Sequence, residues 1–423
     1  MIDFSTKRVA IVTGYYPTPV LARNFVELSR RVCRITQKSV FLFVYWWKDV
    51  PRPPFLNDIE QTGMEVKEIT ILGPLRQALM RGWTRSPLLW LSFNIGAFRE
   101  TVQYLKKEKF HAILLFHNPW YTELFMALCA RFAMIPGVIK FFTGTQLPLQ
   151  WHRWLGHLFT APLLSRIVVV SPEARIFCLL IGFLTPRYTV IRSLGVVARQ
   201  FRREDAHPEK IREEFHLNSS APTIGMVARI DPIKGHKYFL HALAEVKKVF
   251  PDIQAFIVGG QYDPSEPWEE ELKQLARSLN LTGNVHFTGM RDDVENFYSL
   301  FQVLVHPALY DVFPFSILEG MAMKLPVVAS AVGGIPDMVV NGETGILVPK
   351  EDPHQLAEAI IYLLSHPEIA QKMGEEGYRR VNTYWTFDRA FSDTLQFLSD
   401  LYEGKPAKEY GSLKTEVDAY ETR

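Results

Sequence analysis

The 423-residue chain is long enough for two domains of about 200 residues, and its 48% hydrophobic and 22% charged residues are typical of globular proteins. Three cysteines are too few for a disulfide framework or a zinc site, and no apolar run approaches the roughly 18 residues of a membrane-spanning helix. These features argue against small secreted scaffolds and integral membrane proteins, and a reducing cytoplasm is the expected compartment.

The net charge of +2 hides a strong asymmetry between the two halves of the chain. Residues 1–203 carry 27 Lys and Arg against 11 Asp and Glu, a net charge of +16, whereas residues 204–423 have a net charge of −14. Uneven solvation of two ordinary domains rarely produces so large a split. A basic N-terminal half favours phosphate-bearing partners or anionic lipid. No nucleic acid is expected as a partner, because no recognised binding module for it is present.

The N-terminal half alternates short β-branched runs with helical patterns, which predicts a parallel sheet covered on both faces. Gly14 lies in the turn after the first strand, where a doubly wound fold places ligand loops, and is a candidate donor-binding residue. The polar segment from Phe201 to Pro222 is predicted to connect two domains. The predicted strands of this half are Val9–Val12, Val40–Val44, Ile113–Phe116, Val138–Phe142 and Ile167–Val170.

The C-terminal half repeats the same alternation. An amphipathic helix is predicted around Phe239–Phe250, since apolar residues recur there at helical spacing. The predicted fold is therefore α/β, with two Rossmann-like domains over residues 1–203 and 204–395, followed by a helix end and polar tail over 396–423. A central cleft between the strand ends of the two domains is the expected ligand site. The predicted strands are Thr223–Ala228, Ala255–Val258, Val285–Phe287, Val303–Val305, Val327–Ala329 and Ile346–Val348.

Two short motifs of the second half suit a phosphate group. Arg229 and Lys234 stand five residues apart in a turn at the carboxyl end of a predicted strand, from which both could reach one diphosphate. A surface pair of cations is the alternative, and for this motif alone it is the better explanation. The pair Gly333-Gly334 precedes a helical pattern and permits close backbone approach to an anion, although such a pair more often simply makes a tight turn.

Two carboxylates, Asp311 and Glu319, are separated by seven residues that span a loop and the start of a predicted helix. Ser316 and Glu319 match a capping box, which gives Glu319 a structural alternative. If the helix begins at Ser316, Asp311 lies in the preceding loop, and both carboxylates could accept hydrogen bonds from sugar hydroxyls. The positive end of the helix dipole would favour a phosphate near the start of the helix.

These motifs occur in a fixed order that resembles the donor-binding domain of glycosyltransferase family 4, whose members have the two-Rossmann glycosyltransferase B fold. The resemblance covers about 125 residues, from Ile224 to Pro349. Its pieces are the sequences Val-Ala-Arg-Ile-Asp-Pro-Ile-Lys-Gly-His, Phe-Ile-Val-Gly-Gly, Val-His-Phe-Thr-Gly, Asp311 to Glu319 with the following Gly-Met-Ala, and Pro-Val-Val-Ala-Ser-Ala-Val-Gly-Gly-Ile-Pro-Asp.

The resemblance implies a role for each matched residue. Arg229 and Lys234 would contact the donor diphosphate, Glu319 the nucleotide ribose, and Asp311 the hydroxyls of the donor sugar. No metal and no cofactor is implied beyond the nucleotide sugar as co-substrate. The remaining donor-binding residues would be Phe313, Pro314, Phe315 and Ser316 beside the sugar or phosphate, and Gly259, Gly260, Gly289, Met290 and Arg291 beside the base.

The chain departs from the family at several positions. Asp311 is one methylene shorter than the usual glutamate, and Pro314 replaces a common glycine and removes an N–H donor. Thr143 stands where many members carry a histidine and cannot act as a base at neutral pH. His117, after the preceding strand, is the nearest acceptor-side candidate, with a hydrogen-bonded structural histidine as the alternative.

The expected function is retaining, metal-independent transfer of a hexose from a nucleotide-diphosphate sugar to a glycan or lipid-linked acceptor of envelope-polysaccharide biosynthesis. Alternatives are a soluble acceptor, a non-catalytic nucleotide-sugar-binding protein and, less well matched, a sugar-nucleotide epimerase. Leu72–Arg99 and Leu147–Arg166 interleave arginine with tryptophan and leucine, which is typical of interfacial surfaces. Ordinary core helices explain either segment alone equally well. With the basic half, however, they predict a peripheral protein on the anionic cytoplasmic face of a membrane.

Overall fold

The structure is a computed structural model that describes residues 3–14, 19–45, 52–71, 95–116, 120–142, 158–169, 188–190, 201–218, 221–261 and 266–405. The chain forms two compact units. One consists of Met1–Ser193 together with Ala390–Arg423, and the other of Leu194–Arg389. The sequence predicted domain boundaries at 203/204 and 395/396 and a separate tail after residue 395. In the structure the boundaries fall at 193/194 and 389/390, and the segment after residue 389 belongs to the first unit.

The first unit is built on a parallel sheet whose described strands run in the order β3-β2-β1-β4-β5-β6-β7. Helices α1, α2, α3 and α4 span Pro19–Ile35, Phe55–Gln61, Ile95–Glu108 and Trp120–Phe132. The strands are β1 Arg8–Thr13, β2 Lys38–Tyr45, β3 Glu65–Thr70, β4 Ala112–Phe116, β5 Gly137–Phe142, β6 Arg166–Val169 and β7 Tyr188–Val190. All five predicted strands are present, so the alternating pattern was interpreted correctly.

Strands β3 and β7 were not predicted. Only one of the six residues of β3 is buried, because this strand forms an edge of the sheet and has the polar sequence Glu-Val-Lys-Glu-Ile-Thr. The inner strands β1 and β4 are buried almost throughout. An edge strand with so few buried residues lacks the apolar pattern from which a strand is predicted.

The second unit is also built on a parallel sheet, with the described strands in the order β10-β9-β8-β11-β12-β13. The strands are β8 Thr223–Val227, β9 Gln254–Val258, β10 Val285–Gly289, β11 Val303–His306, β12 Val327–Ser330 and β13 Gly345–Val348. The helices are α5 Pro208–Glu214, α6 His236–Val249, α7 Trp268–Ser278, α8 Val294–Leu300, α9 Phe315–Ala322, α10 Ile335–Met338, α11 Pro353–Ser365 and α12 Pro367–Tyr384.

Helix α6 shows how the sequence determines this packing. Phe239, Ala242, Leu243 and Val246 recur at helical spacing and are all fully buried, as predicted, whereas Val249, which belonged to the same predicted repeat, is 53% exposed. The segment predicted as a polar connection is not a plain linker. It contains helix α5, and Phe201 is buried with its ring edge-to-face against another aromatic ring of the second unit.

The final helix, α13 Phe387–Tyr402, runs from the second unit into the first. Two of its aromatic rings have cation partners in the first unit: Arg31 lies over the ring of Phe391, and Lys7 lies over the ring of Tyr402. Among the described residues, no helix combines the length and the apolar character needed to cross a bilayer.

The predicted α/β class is confirmed. In both units the described strands follow the order 3-2-1-4-5-6 of a Rossmann fold, which β7 extends by one strand in the first unit. In such a sheet ligands bind beyond the carboxyl ends of strands 1 and 4, where the strand order reverses. In the second unit these are the ends of β8 and β11.

Candidate donor-binding site

The predicted charged residues lie at this reversal point of the second unit. Arg229 and Lys234 follow β8, and Asp311 follows β11. Because β8 and β11 are adjacent parallel strands, their carboxyl ends lie side by side. The sheet therefore brings together residues that are about 80 positions apart in the sequence.

The loop after β8 holds Arg229 by a local ion pair. The side chain of Asp231 caps the short 3₁₀ turn Pro232–Lys234 by accepting the N–H of Ile233 at 3.1 Å. Its other oxygen, Oδ2, accepts a hydrogen bond from Nη2 of Arg229 at 2.7 Å. The guanidinium is thus oriented by a carboxylate of its own loop, and 35% of the Arg229 side chain remains exposed.

A glycine lets the loops after β8 and β11 touch. Gly235 has φ 78°, and a Cβ added there would lie 1.9 Å from the carbonyl oxygen of Pro307. The N–H of Leu309 donates to the carbonyl of Ile233 at 2.8 Å and joins the same two loops. Glycine is therefore required beside Lys234, because any side chain would force the loops apart.

This close approach brings Lys234 to Asp311. Nζ of Lys234 lies 2.5 Å from Oδ2 of Asp311, and Nε2 of His306, the last residue of β11, lies 3.0 Å from the same oxygen. Burial alone would raise the pKa of Asp311, but the charge of Lys234 and the hydrogen bond from His306 hold it well below its usual range. Asp311 is therefore a carboxylate at neutral pH, in the loop position predicted for it.

The pair Gly333-Gly334 packs against the backbone of Asp311. Gly333 has φ 57°, and a Cβ added there would lie 1.9 Å from the Asp311 carbonyl oxygen. The N–H of Gly334 donates to that same oxygen at 3.0 Å. These glycines thus approach the backbone of Asp311 closely, whereas their approach to an anion stays a prediction, and the helix that follows is only four residues long.

Helix α9 begins one residue before the predicted start, so the capping-box interpretation was wrong. Its first residue is Phe315 and its N-cap is Pro314, with no side-chain cap. The proline has φ −71°, which its ring fixes and which suits the residue before a helix. Ser316 is therefore inside the first turn. Glu319 is 1% exposed and accepts a hydrogen bond from the hydroxyl of Tyr298 at 2.6 Å.

Phe313 and Pro314 lie between Asp311 and helix α9 in the sequence, and Phe315 and Ser316 are the first two residues of that helix. The rings of Phe313 and Phe315 meet edge-to-face, 5.5 Å apart, and both side chains are partly exposed. This aromatic pair offers an apolar surface beside the charged residues.

The predicted glycines after β9 and β10 also lie on adjacent strands. Gly259 has φ 137°, and a Cβ added there would lie 2.1 Å from the carbonyl oxygen of Ala228. Its N–H donates to the carbonyl of Gly289 at 2.9 Å, and Gly260 accepts the N–H of Ile230. The loops after β8, β9 and β10 are therefore bound to one another at one edge of the sheet.

Met290 and Arg291 differ in how well they suit a ligand contact. Met290 is 76% exposed next to this edge. Arg291 is hydrogen-bonded to both carboxylate oxygens of Glu214 at 2.8 Å and to Asp293, and its guanidinium lies over the ring of Phe297. Hydrogen bonds to Asp293 and Glu214 raise the pKa of Arg291 above its ordinary value. Arg291 thus joins helices α5 and α8, a structural role that the sequence did not indicate.

The acceptor-side predictions lie largely outside the described residues. This applies to His117 and Thr143 themselves and to 72–94 and 147–157, most of the two segments predicted to contact a membrane. Gly14 is described and follows β1 in the first unit, as predicted. Within the described ranges, no group of three or more His, Cys, Asp or Glu residues could hold a metal ion.

His306 was missed by sequence reasoning. A single histidine before a proline belongs to no recognised pattern, yet one signal was available. His306 ends a buried strand at the reversal point of the sheet, where a polar side chain is well placed for a ligand or its neighbours.

Part of the second unit matches a known protein family. Residues 208–380, which contain the residues described above for the second unit, match the family of glycosyl transferases group 1. A trehalose synthase of Pyrococcus horikoshii is 29% identical over 197 residues, which are 45% of this chain and 47% of that enzyme. The chain thus aligns with about half the length of this curated relative.

Solved structures match nearly the whole chain. A glycosyltransferase of Rickettsia africae has a TM-score of 0.76 at 17% identity and covers 94% of this chain and 99% of its own. The Anabaena protein HepE in complex with UDP-glucose also has a TM-score of 0.76 at 17% identity, covering 93% and 99%. The chain therefore has the glycosyltransferase B fold, and the part that carries the candidate site matches glycosyl transferases group 1.

Proposed function

We propose that this chain is a glycosyltransferase that moves a sugar from a nucleotide-diphosphate sugar to an acceptor hydroxyl with retention of configuration, as in family 4. The main observation in support is that Arg229, Lys234 and Asp311 lie together at the point where the strand order of the second sheet reverses. Two cations suit a diphosphate, and an ionised carboxylate suits sugar hydroxyls.

In this proposal Arg229 and Lys234 supply the main catalytic effect. As the bond to the sugar breaks, negative charge develops on the departing diphosphate, and cations already placed beside it stabilise that charge. The acceptor hydroxyl attacks from the same side of the sugar and gives its proton to the leaving phosphate. The chemistry then requires neither a protein base nor a bound metal.

The donor is best identified first. A thermal-shift screen of nucleotide sugars should begin with UDP-glucose, which HepE binds, and include GDP-linked sugars. With the stabilising donor, Arg229→Ala and Lys234→Ala should each reduce turnover by about 100- to 1000-fold, the loss expected for a group that stabilises transition-state charge. Turnover close to wild type in both variants would refute the proposed mechanism.

Metal independence has its own test. Activity should persist in excess EDTA, because the side chains of Arg229 and Lys234 provide the positive charge. Loss of activity in EDTA that manganese restores would show that the enzyme depends on a divalent cation.

For the acceptor, we propose a lipid-linked or envelope-polysaccharide glycan that the first unit binds at the cytoplasmic face of a membrane. The +16 charge of residues 1–203 supports this. So do four strongly exposed apolar side chains among the described residues of that unit: Ile95, Phe132, Met134 and Phe159. Vesicle sedimentation should show binding that requires anionic lipid and weakens as salt increases. Equal recovery in the supernatant with neutral and anionic vesicles at low salt would favour a soluble acceptor.

The main alternative is a protein of the same fold that binds a nucleotide sugar without transferring it. The presence of both cations at the site favours an enzyme, because binding without chemistry does not require groups matched to a leaving diphosphate. Donor binding with neither transfer nor slow donor hydrolysis, for any tested acceptor class, would support the alternative.

A further inference from the structure

His306 is a buried histidine in contact with the candidate site. It is 2% exposed at the end of β11, and its two ring nitrogens point to two site residues. Nε2 lies 3.0 Å from Oδ2 of Asp311, and Nδ1 lies 3.5 Å from Oγ of Ser316. The imidazole therefore links the loop after β11 to the first turn of helix α9.

The chemistry of its neighbours determines where its proton lies. The ionised carboxylate of Asp311 only accepts hydrogen bonds, so Nε2 carries the hydrogen. Burial lowers the pKa of His306, the charge of Lys234 adds to this, and Asp311 opposes it. The ring is thus neutral at pH 7, which leaves Nδ1 as an acceptor for the Ser316 hydroxyl.

The two oxygens of Asp311 are used differently. Oδ2 receives both Lys234 and His306, whereas Oδ1 accepts no hydrogen bond from any described residue. The side chain is 11% exposed, so part of it is open to a ligand. Oδ1 is the carboxylate oxygen that remains for one.

Lys234 and His306 cannot hold Asp311 in the same way once the donor is bound. Under the proposed function, the diphosphate competes with Asp311 for the flexible ammonium of Lys234. The imidazole is rigid, buried and neutral, so a diphosphate has no comparable attraction for it. His306 would then be the partner that keeps the carboxylate of Asp311 in place.

We propose that His306 is a positioning residue, which fixes Asp311 through Oδ2 so that Oδ1 is presented to a hydroxyl of the donor sugar. This inference rests on the proposed function. It predicts different effects on the two parts of the donor. Removal of His306 should weaken recognition of the sugar and leave recognition of the nucleoside diphosphate unchanged.

The test compares His306→Phe, which removes the hydrogen bond, with His306→Gln, whose amide N–H can reach Asp311 from nearly the position of Nε2. For each variant the KM for the nucleotide sugar is measured kinetically and the Kd for the corresponding nucleoside diphosphate by calorimetry. We expect His306→Phe to raise the KM by about tenfold to a hundredfold, the range of a hydrogen bond to a charged group. The Kd should change less than about twofold, and His306→Gln should restore most of the KM.

Three outcomes are decisive. A wild-type protein that binds no nucleotide sugar would overturn the proposed function itself. An active wild type with an unchanged KM in His306→Phe, or with KM and Kd weakened equally, would overturn only the positioning role. If His306→Phe does not fold, His306→Asn replaces it, because the shorter amide cannot reach Asp311 from that backbone position. Equal KM values for the Asn and Gln variants would then contradict the inference.

Discussion

Replacement of Lys234 by methionine tests whether the ion pair at the site stabilises the protein as well as serving the reaction. The side chains of Lys234 and Asp311 are 21% and 11% exposed, and their charged atoms are 2.5 Å apart. The substitution leaves the carboxylate largely buried with His306 as its remaining partner. A hydrogen bond to a charged group contributes about 1.5–3 kcal/mol, so we expect the free energy of unfolding to fall by about 2–3 kcal/mol.

The dependence on pH follows from the lowered pKa of Asp311. A carboxyl group whose folded-state pKa lies below its unfolded value, about 4, contributes stability above that value and loses it as the pH falls toward the folded pKa. Without Lys234 the lowering is reduced and the opposing effect of burial remains, so the folded pKa of Asp311 rises. The loss of stability in Lys234→Met should therefore be full at pH 7 and decrease in acid.

Thermal unfolding at several pH values measures this effect. For a unit of about 200 residues, 2–3 kcal/mol corresponds to a decrease in Tm of about 4–12 °C. Arg229→Met is the matched control. Its ion pair with Asp231 is more exposed, so its loss should cost no more than about 1 kcal/mol.

A second substitution separates stability from catalysis. The double variant Lys234→Met/Asp311→Asn no longer buries an uncompensated charge and should recover at least half of the lost stability. It should stay inactive, since neither the cation nor the carboxylate is present. A Tm equal to wild type in Lys234→Met, or no recovery in the double variant, would refute this account of the pair.

Three further results are expected. Gly333→Ala should raise the donor KM at least about tenfold and lower the Tm, because the new Cβ would collide with the Asp311 carbonyl and Gly333 has a positive φ. The control is Gly342→Ala, which has φ 79° and open space around its Cβ and should show only the conformational cost of about 1–2 kcal/mol. Equal effects of the two substitutions would contradict the packing argument. Tyr298→Phe should cost about 1.5–3 kcal/mol in urea unfolding, since buried Glu319 loses a donor. Glu319→Gln keeps an acceptor for that hydroxyl, so it should raise the donor KM with little change in Tm if Glu319 binds ribose; unchanged values of both would leave Glu319 a structural residue.

The sequence predicted the sheets better than the contacts of the site. Strands such as β1 and β8 are buried on both faces and therefore have continuous apolar sequences, whereas the edge strand β3 does not. The start of helix α9 was misplaced because Ser316 and Glu319 match a capping box, while the fixed φ of Pro314 determines the actual cap. A local pattern could not show which of two overlapping signals prevails.

The pairings of the charged residues were beyond prediction for a different reason. Asp231 lies two residues from Arg229, and its role as a partner depends on a 3₁₀ turn that short-range patterns seldom reveal. Asp311 and Lys234 are 77 residues apart, and they meet because Gly235 allows two loops to touch. The sequence indicates which residues carry charge at strand ends, whereas the approach of separate loops determines which charges neutralise one another.

These pairings suggest how the proposed site could favour the transition state over the bound donor. Under the proposed function, Lys234 would divide its hydrogen bonds between Asp311, whose charge stays constant, and the diphosphate, whose negative charge would grow as the sugar leaves. The attraction to the diphosphate therefore increases during the reaction while the attraction to Asp311 does not, and interactions that strengthen only toward the transition state raise the rate. An unpaired lysine would bind the ground-state diphosphate more tightly from the start. Under the proposed function, the Asp311 carboxylate, 2.5 Å from Lys234, would therefore weaken the initial binding of the diphosphate.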